Sequence, residues 1–209
     1  MFSSHDTYSD NLFRDNGAGV SVMYSHHVTM TRNTFADNWG NAAYGILMKE
    51  ITDSEVRHNL MQHNTVAVLL EGSNRIHIEG NSFHDNGWAI RMQASCSDNL
   101  LKGNNFTANT FDIATNGSLV LNKFEKNYWS KYEGYDLNRD GIGDVPYRPV
   151  SLYSMIVERN PATLMLFRGF MTDLIDRAER LLPGMTPEDL KDDQPRMRKL
   201  VLHTPTTSS

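Results

Sequence analysis

The sequence predicts an all-β fold, a right-handed parallel β-helix solenoid over residues 1–127, followed by a C-terminal α-helical segment. Three observations support this. First, the phrase Asn-x-Phe/Met-x-x-Asn recurs six times, starting at Asn11, Asn33, Asn59, Asn81, Asn104 and Asn122. Second, its starts are spaced by 22, 26, 22, 23 and 18 residues; periods near 22 mark a solenoid, and the fixed leucines of a leucine-rich repeat are absent. Third, the apolar residues of each coil stand two apart, which is the period of a strand.

The coils can be justified slot by slot. Three residues before the first Asn of the first five phrases stand Tyr8, Met30, Val56, Ile78 and Leu101, and two residues after it comes Phe or Met. A further pair per coil is Val20/Val22, Ile46/Met48, Val68/Leu70 and Ile90/Met92. Alternate residues point inward, and like residues stack about 4.8 Å apart. The Asn residues belong at corners, where Asn tolerates a left-handed backbone and bonds neighbouring peptide groups. Stacked Asn side chains also pair along the axis, as in cross-β ladders. The repeated Asn is therefore structural.

Beyond Asn127 the pattern changes. Residues 128–157 form an Asp/Gly/Tyr-rich capping segment. Residues 158–202 are expected to be helical, with Asn160 as N-cap and Pro161 at the first helical position. Leu164, Phe167, Met171, Leu174, Ala178 and Leu181 follow at helical spacing, and Phe170 widens the stripe. Pro183-Gly184 ends it, a second short helix starts with Thr186 as its cap, and residues 203–209 read as a disordered tail.

Composition excludes several classes. A formal net charge of −5 argues against a nucleic-acid scaffold. Cys96 is the only cysteine, so there is neither a disulfide framework nor a Cys-rich zinc site. No apolar run is long enough to span a bilayer. No signal peptide is visible, and the repeat is already running at Asn11, so the chain is expected to be the C-terminal part of something longer.

Three constellations could carry chemistry. Asp136, Asn138, Asp140 and Asp144, with Gly141 at the sixth position, match the first part of a calcium-binding EF-hand loop. The twelfth position is Tyr147, so a full EF-hand is excluded; a structural calcium ion or a self-bonded turn remains. His5 and His27 share a slot on adjacent coils, with Met23 and His26 close in sequence, and imidazole with thioether suits copper. Met30, Met48, Met61 and Met92 sit in core slots and read as packing, while His58, His63, His77 and His84 read as solvated. Asp15, Asp37 and Asp85 share a third slot, interrupted by His63. A polysaccharide lyase or hydrolase would use such a carboxylate row, but turns favour the same residues.

The Asn-x-Phe-x-x-Asn coils, "VMYS" (22–25), "NYWSKYEGYDLNRDGIGDVPY" (127–147) and "ERNPATLMLFRGF…RAERLLPG" (158–184) together resemble the NosD family of nitrous-oxide-reductase maturation proteins. The resemblance implies a periplasmic accessory protein of an ABC transporter, not an enzyme. It also implies copper taken from a small copper chaperone and used in assembling the copper centres of nitrous oxide reductase. The apolar face around Phe167, Phe170, Met171 and Leu174 then becomes a docking surface for the transporter permease. The alternatives are a β-helix carbohydrate-active enzyme and a carbohydrate-binding solenoid.

Overall fold

The structure is a computed structural model that describes residues 3–93, 95–117, 121–159, 190–202 and 205. Its strands are β1 (Thr7–Ser9), β2 (Leu12–Arg14), β3 (Ala18–His26), β4 (Thr29–Thr31), β5 (Thr34–Ala36), β6 (Tyr44–Arg57), β7 (Leu60–Gln62) and β8 (Val66–Glu71). They continue as β9 (Asn74–Glu79), β10 (Ser82–His84), β11 (Trp88–Met92), β12 (Leu100–Lys102), β13 (Asn105–Thr107), β14 (Phe111–Thr115), β15 (Lys123–Glu125) and β16 (Tyr128–Trp129). Every pairing between them is parallel, and each strand pairs with the equivalent strand one coil away. The strands form a 10-stranded sheet and a 6-stranded sheet ordered β16-β13-β10-β7-β5-β2. This is the expected parallel β-solenoid.

The inward slots close as the spacing requires. Met30, Val56, Ile78 and Leu101 are fully buried, as are Phe35, Met61, Phe83 and Phe106. The aromatic rings stack along the axis, Phe13 on Phe35 at 5.0 Å and Phe83 on Phe106 at 4.9 Å. Met61 fills the intervening slot. An unbranched thioether adapts to the gap between two rings.

The asparagines form two ladders with one polarity. In the first, the backbone N–H and Nδ2 of Asn11, Asn33, Asn59, Asn81 and Asn104 each donate to Oδ1 of the next Asn at 2.9–3.1 Å. In the second, at the other corner, the backbone N–H of Asn16, Asn38, Asn64 and Asn86 and the Nδ2 of Asn38, Asn64 and Asn86 donate to Oδ1 of the next Asn at 2.7–3.3 Å, and the series reaches Asn109. Nδ2 also reaches back to a main-chain carbonyl, as from Asn59 to Met30. Buried amides are thereby satisfied, which avoids a cost of about 1–3 kcal/mol per orphaned group.

One register expectation is corrected. The sixth coil starts at Asn127, not Asn122. Asn104 donates to Asn127, and Trp129 takes the aromatic slot, 4.2 Å from Phe106. Asn122 instead accepts from Asn99 at a third corner, and Phe124 pairs with Leu101. The short 18-residue spacing came from joining two different corners; the true spacing from Asn104 is 23.

A polar ladder must end on an acceptor. The first ends on Asp192, which is buried and accepts from the N–H and Nδ2 of Asn127 and from Nε1 of Trp129. Asp192 belongs to a strap, residues 190–200, that closes this end of the solenoid. Leu190 is buried there, and Asn105 exchanges two hydrogen bonds with the backbone of Leu200. The second ladder ends on Asp112, whose Oδ1 accepts from Asn109. A helix, α1 (Leu152–Arg159), packs on β14. The Ser151 hydroxyl accepts from the N–H of Ser154, an N-cap bond. This helix straddles the expected boundary at 157/158 between the capping and helical segments. The expected helix from Asn160 and the start at Thr186 lie outside the described residues.

Candidate functional site

The structure brings three of the four copper candidates together. The Ser4–His26 bridge and the bond from the N–H of His5 to the carbonyl of His26 set the first coil on the second. This stacks the His5 ring on His27 at 4.8 Å, with His26 5.2 Å from His27 and 6.0 Å from His5. All three imidazoles are exposed. The Ser4 hydroxyl meets His26 Nε2 at 3.2 Å, and His27 Nδ1 lies 3.2 Å from the carbonyl of Asp53. Met23 points elsewhere, lining a cavity of about 390 Å³ at the first-coil end with Asp6, Tyr8 and Val22.

Backbone geometry explains part of this chemistry. His5 and His27 have φ of 62° and 56°, and the same slot continues through Asp53, Arg75 and Asp98, all with positive φ. Asn, Asp and His are the side chains enriched in the left-handed region. A corner of this shape therefore selects for His and Asp without any ligand. His26 is different: it lies within β3 without a positive φ, so the corner geometry does not account for it.

The neighbouring groups limit what can bind. Asp53 is held down to about 2 by a bidentate pair with Arg75, at 2.6 and 2.8 Å, so it is committed to that cation. Burial pushes the Cys96 thiol up, which removes the only cysteine as a thiolate ligand. Met30, Met48, Met61 and Met92 are buried in the core and act as packing. Among the described residues, no group of three or more His, Cys, Asp or Glu side chains is arranged to hold a metal ion as it stands. Three imidazoles sharing one ion at about 2 Å per nitrogen would place their ring centres roughly 5 Å apart. The observed spacing fits that distance; the ring orientations do not, because His5 and His27 lie nearly parallel, 22° apart.

The Asp-rich loop folds onto itself. Asp136 accepts from the N–H groups of Asp140 and Gly141, Asp140 from that of Ile142, and Asp144 from that of Leu137. Asn138 also accepts from Asp140. Gly141 has φ of 85°, the sharp turn that the sixth position of a calcium loop needs. The strap braces the loop through bonds from Met197 to Gly141 and from Gly143 to Pro195.

The third constellation is another left-handed corner: Asp15, Asp37, His63 and Asp85 have φ of 53–55°. Asp37 is engaged by Arg14 at 2.9 Å and by Nδ1 of His63 at 2.9 Å. Trp39, 58% exposed, stacks on His63 at 5.0 Å. His84 departs from the solvated reading: its Nδ1 is buried and has no partner among the described residues. Phe167, Phe170, Met171 and Leu174 lie outside the described residues. The two terminating carboxylates, Asp112 and Asp192, are not legible in the repeat, because neither stands in an Asn slot.

Comparison with known proteins gives the context. The profile of the family described as "Periplasmic copper-binding protein (NosD)" matches residues 1–134. A Pseudomonas aeruginosa protein named "Probable ABC transporter binding protein NosD" is 30% identical over 197 residues, covering 83% of this chain and 44% of its own length. The Stutzerimonas stutzeri protein of the same name is 26% identical over 200 residues, covering 85% of this chain and 44% of its own length. The chain thus spans less than half the length of these relatives.

Proposed function

Because the chain belongs to the NosD family of periplasmic copper-binding proteins, we propose that it is part of an extracytoplasmic accessory protein of an ABC transporter that receives copper and assists its delivery to nitrous oxide reductase. The relatives are named as binding proteins rather than as enzymes. The observation that supports the copper reading is the three-imidazole cluster, His5, His26 and His27, displayed where the first two coils meet. Copper is cargo here. Exposed imidazoles at the solenoid surface accept an ion from a copper chaperone and release it, since nothing among the described residues encloses the site and exposed side chains change rotamer rapidly. Rotating His5 and His27 out of their stack, toward His26, is the motion that binding requires. Met23 is a further ligand only if its side chain leaves the end cavity.

The transporter contact belongs, in this reading, to the apolar face of Phe167, Phe170, Met171 and Leu174 against the permease. Among the described residues no helix is long and apolar enough to cross a membrane. The test is copper(I) titration of the full-length protein beside a His5→Ala/His27→Ala variant and a His26→Ala variant. Loss of one bound equivalent in both variants is expected; undiminished binding in both would move the site elsewhere. Replacing 161–182 with a polar linker should abolish co-purification with the permease, and retained yield would assign docking to the coils.

A further inference from the structure

Acid exceeds base in this chain, 25 Asp and Glu against 20 Lys and Arg, yet one groove at the end of the solenoid closed by the strap is lined by lysines. A groove of about 520 Å³ runs between residues 122–126 of the last coil and residues 191–194 of the strap, and Lys102, Lys123, Lys126 and Lys191 line it. Lys191 lies 2.9 Å from Asp193. Lys102, Lys123 and Lys126 form no ion pair among the described residues. The acids in the groove are Glu125 and Asp193. The adjoining Asp192 is buried and committed to Asn127 and Trp129.

We propose that this lysine groove docks the phosphate headgroups of an anionic phospholipid surface, so that the solenoid stands with its closed end on the membrane. The choice of lipid over other anions rests on the donors and their setting. Lysine ammoniums are hydrated point charges on flexible stems, suited to many laterally mobile phosphates; a fixed carboxylate is better held by an arginine fork. The groove is open and shallow enough for headgroups to enter from outside. Lysines clustered at an open surface are the pattern of an electrostatic contact with an anionic membrane. This inference stands independently of the copper reading.

The experiment is co-sedimentation of the full chain with vesicles of phosphatidylcholine alone or mixed equally with phosphatidylglycerol. Three proteins are compared: the native chain, Lys102→Gln/Lys123→Gln/Lys126→Gln, and Lys123→Glu alone, each with its melting temperature. Binding to the mixed vesicles should fall about a hundredfold in the triple variant at unchanged melting temperature, and should weaken with added salt. The single variant should show a partial loss, which keeps the test decisive if the triple variant is unstable. Equal binding to both vesicle types, or undiminished binding by the variants, would overturn the proposal. So would capture of poly-glutamate without vesicles, which points to an acidic protein partner, or saturation by inorganic phosphate alone.

Discussion

Asn81 ties three coils together through one amide. Its Oδ1 accepts the N–H and Nδ2 of Asn59, while its own Nδ2 donates to the carbonyls of Val56 and Glu79 and to Asn104. The adjoining Phe83 is fully buried between Met61 and Phe106. Phe83→Ala should therefore cost about 3–5 kcal/mol, because the stack above and below cannot collapse into the void; denaturant unfolding measures it. Asp112 sits at the end of a column in which Ala89 precedes it, and its Oδ2 is buried without a hydrogen bond among the described residues. Burial raises its pKa, with Lys131 and Asn109 only partly offsetting this. A carboxyl whose folded pKa lies above its unfolded value holds its proton more tightly when folded. Its contribution is present below the unfolded value, near 4, and is lost as pH rises toward the folded value. The melting temperature of Asp112→Asn, relative to the native chain, should thus rise between pH 4 and pH 8; a constant difference would show that folding does not raise the pKa of Asp112.

At the scale of the element, the loop from Asp136 to Asp144 is the clearest candidate for an ion, and calcium there is our proposal. Its carboxylates now accept backbone N–H groups, and they would turn to place oxygens about 2.3–2.6 Å from a calcium ion. Because the strap braces the loop through Gly141 and Gly143, ion binding would stiffen the closed end of the solenoid. Calcium should raise the melting temperature, EDTA should reverse the gain, and Asp140→Ala should remove the response. An unchanged melting temperature throughout would leave the loop as a self-bonded turn. The strap itself explains why residues 161–182 should be replaced internally rather than removed with the whole C-terminal tail. Asp192 ends the first ladder, and deleting it would leave the donors of Asn127 and Trp129 unpaired in the interior.

For the whole molecule, the solenoid repeats each corner along one face, so any chemistry would have to recur or be broken deliberately. The carboxylate row of Asp15, Asp37 and Asp85 is broken by His63, and Asp37 is neutralised by Arg14. The purified protein should therefore leave pectate and alginate intact, with or without calcium. Turnover that vanished in Asp37→Asn/Asp85→Asn would establish a carbohydrate-active enzyme instead. Reducing-end assays measure this directly.

By itself the sequence determined the coil, its core and its Asn corners, because residues that stack on their own kind must repeat at the coil length. It also placed His5 over His27, since both stand six residues before their coil's Asn. Only the tertiary structure decided where each repeat phrase belongs. The Asn122 phrase looks like the others, yet its corner is the one occupied by Asn99, and the aromatic slot goes to Trp129. Local spacing does not distinguish one corner from another, whereas hydrogen-bond partners in the coil below do. Likewise Asp192 lies 65 residues from Asn127, so no periodicity could announce it. Its role follows from the polarity of a ladder that ends in buried donors and needs an anion to accept them.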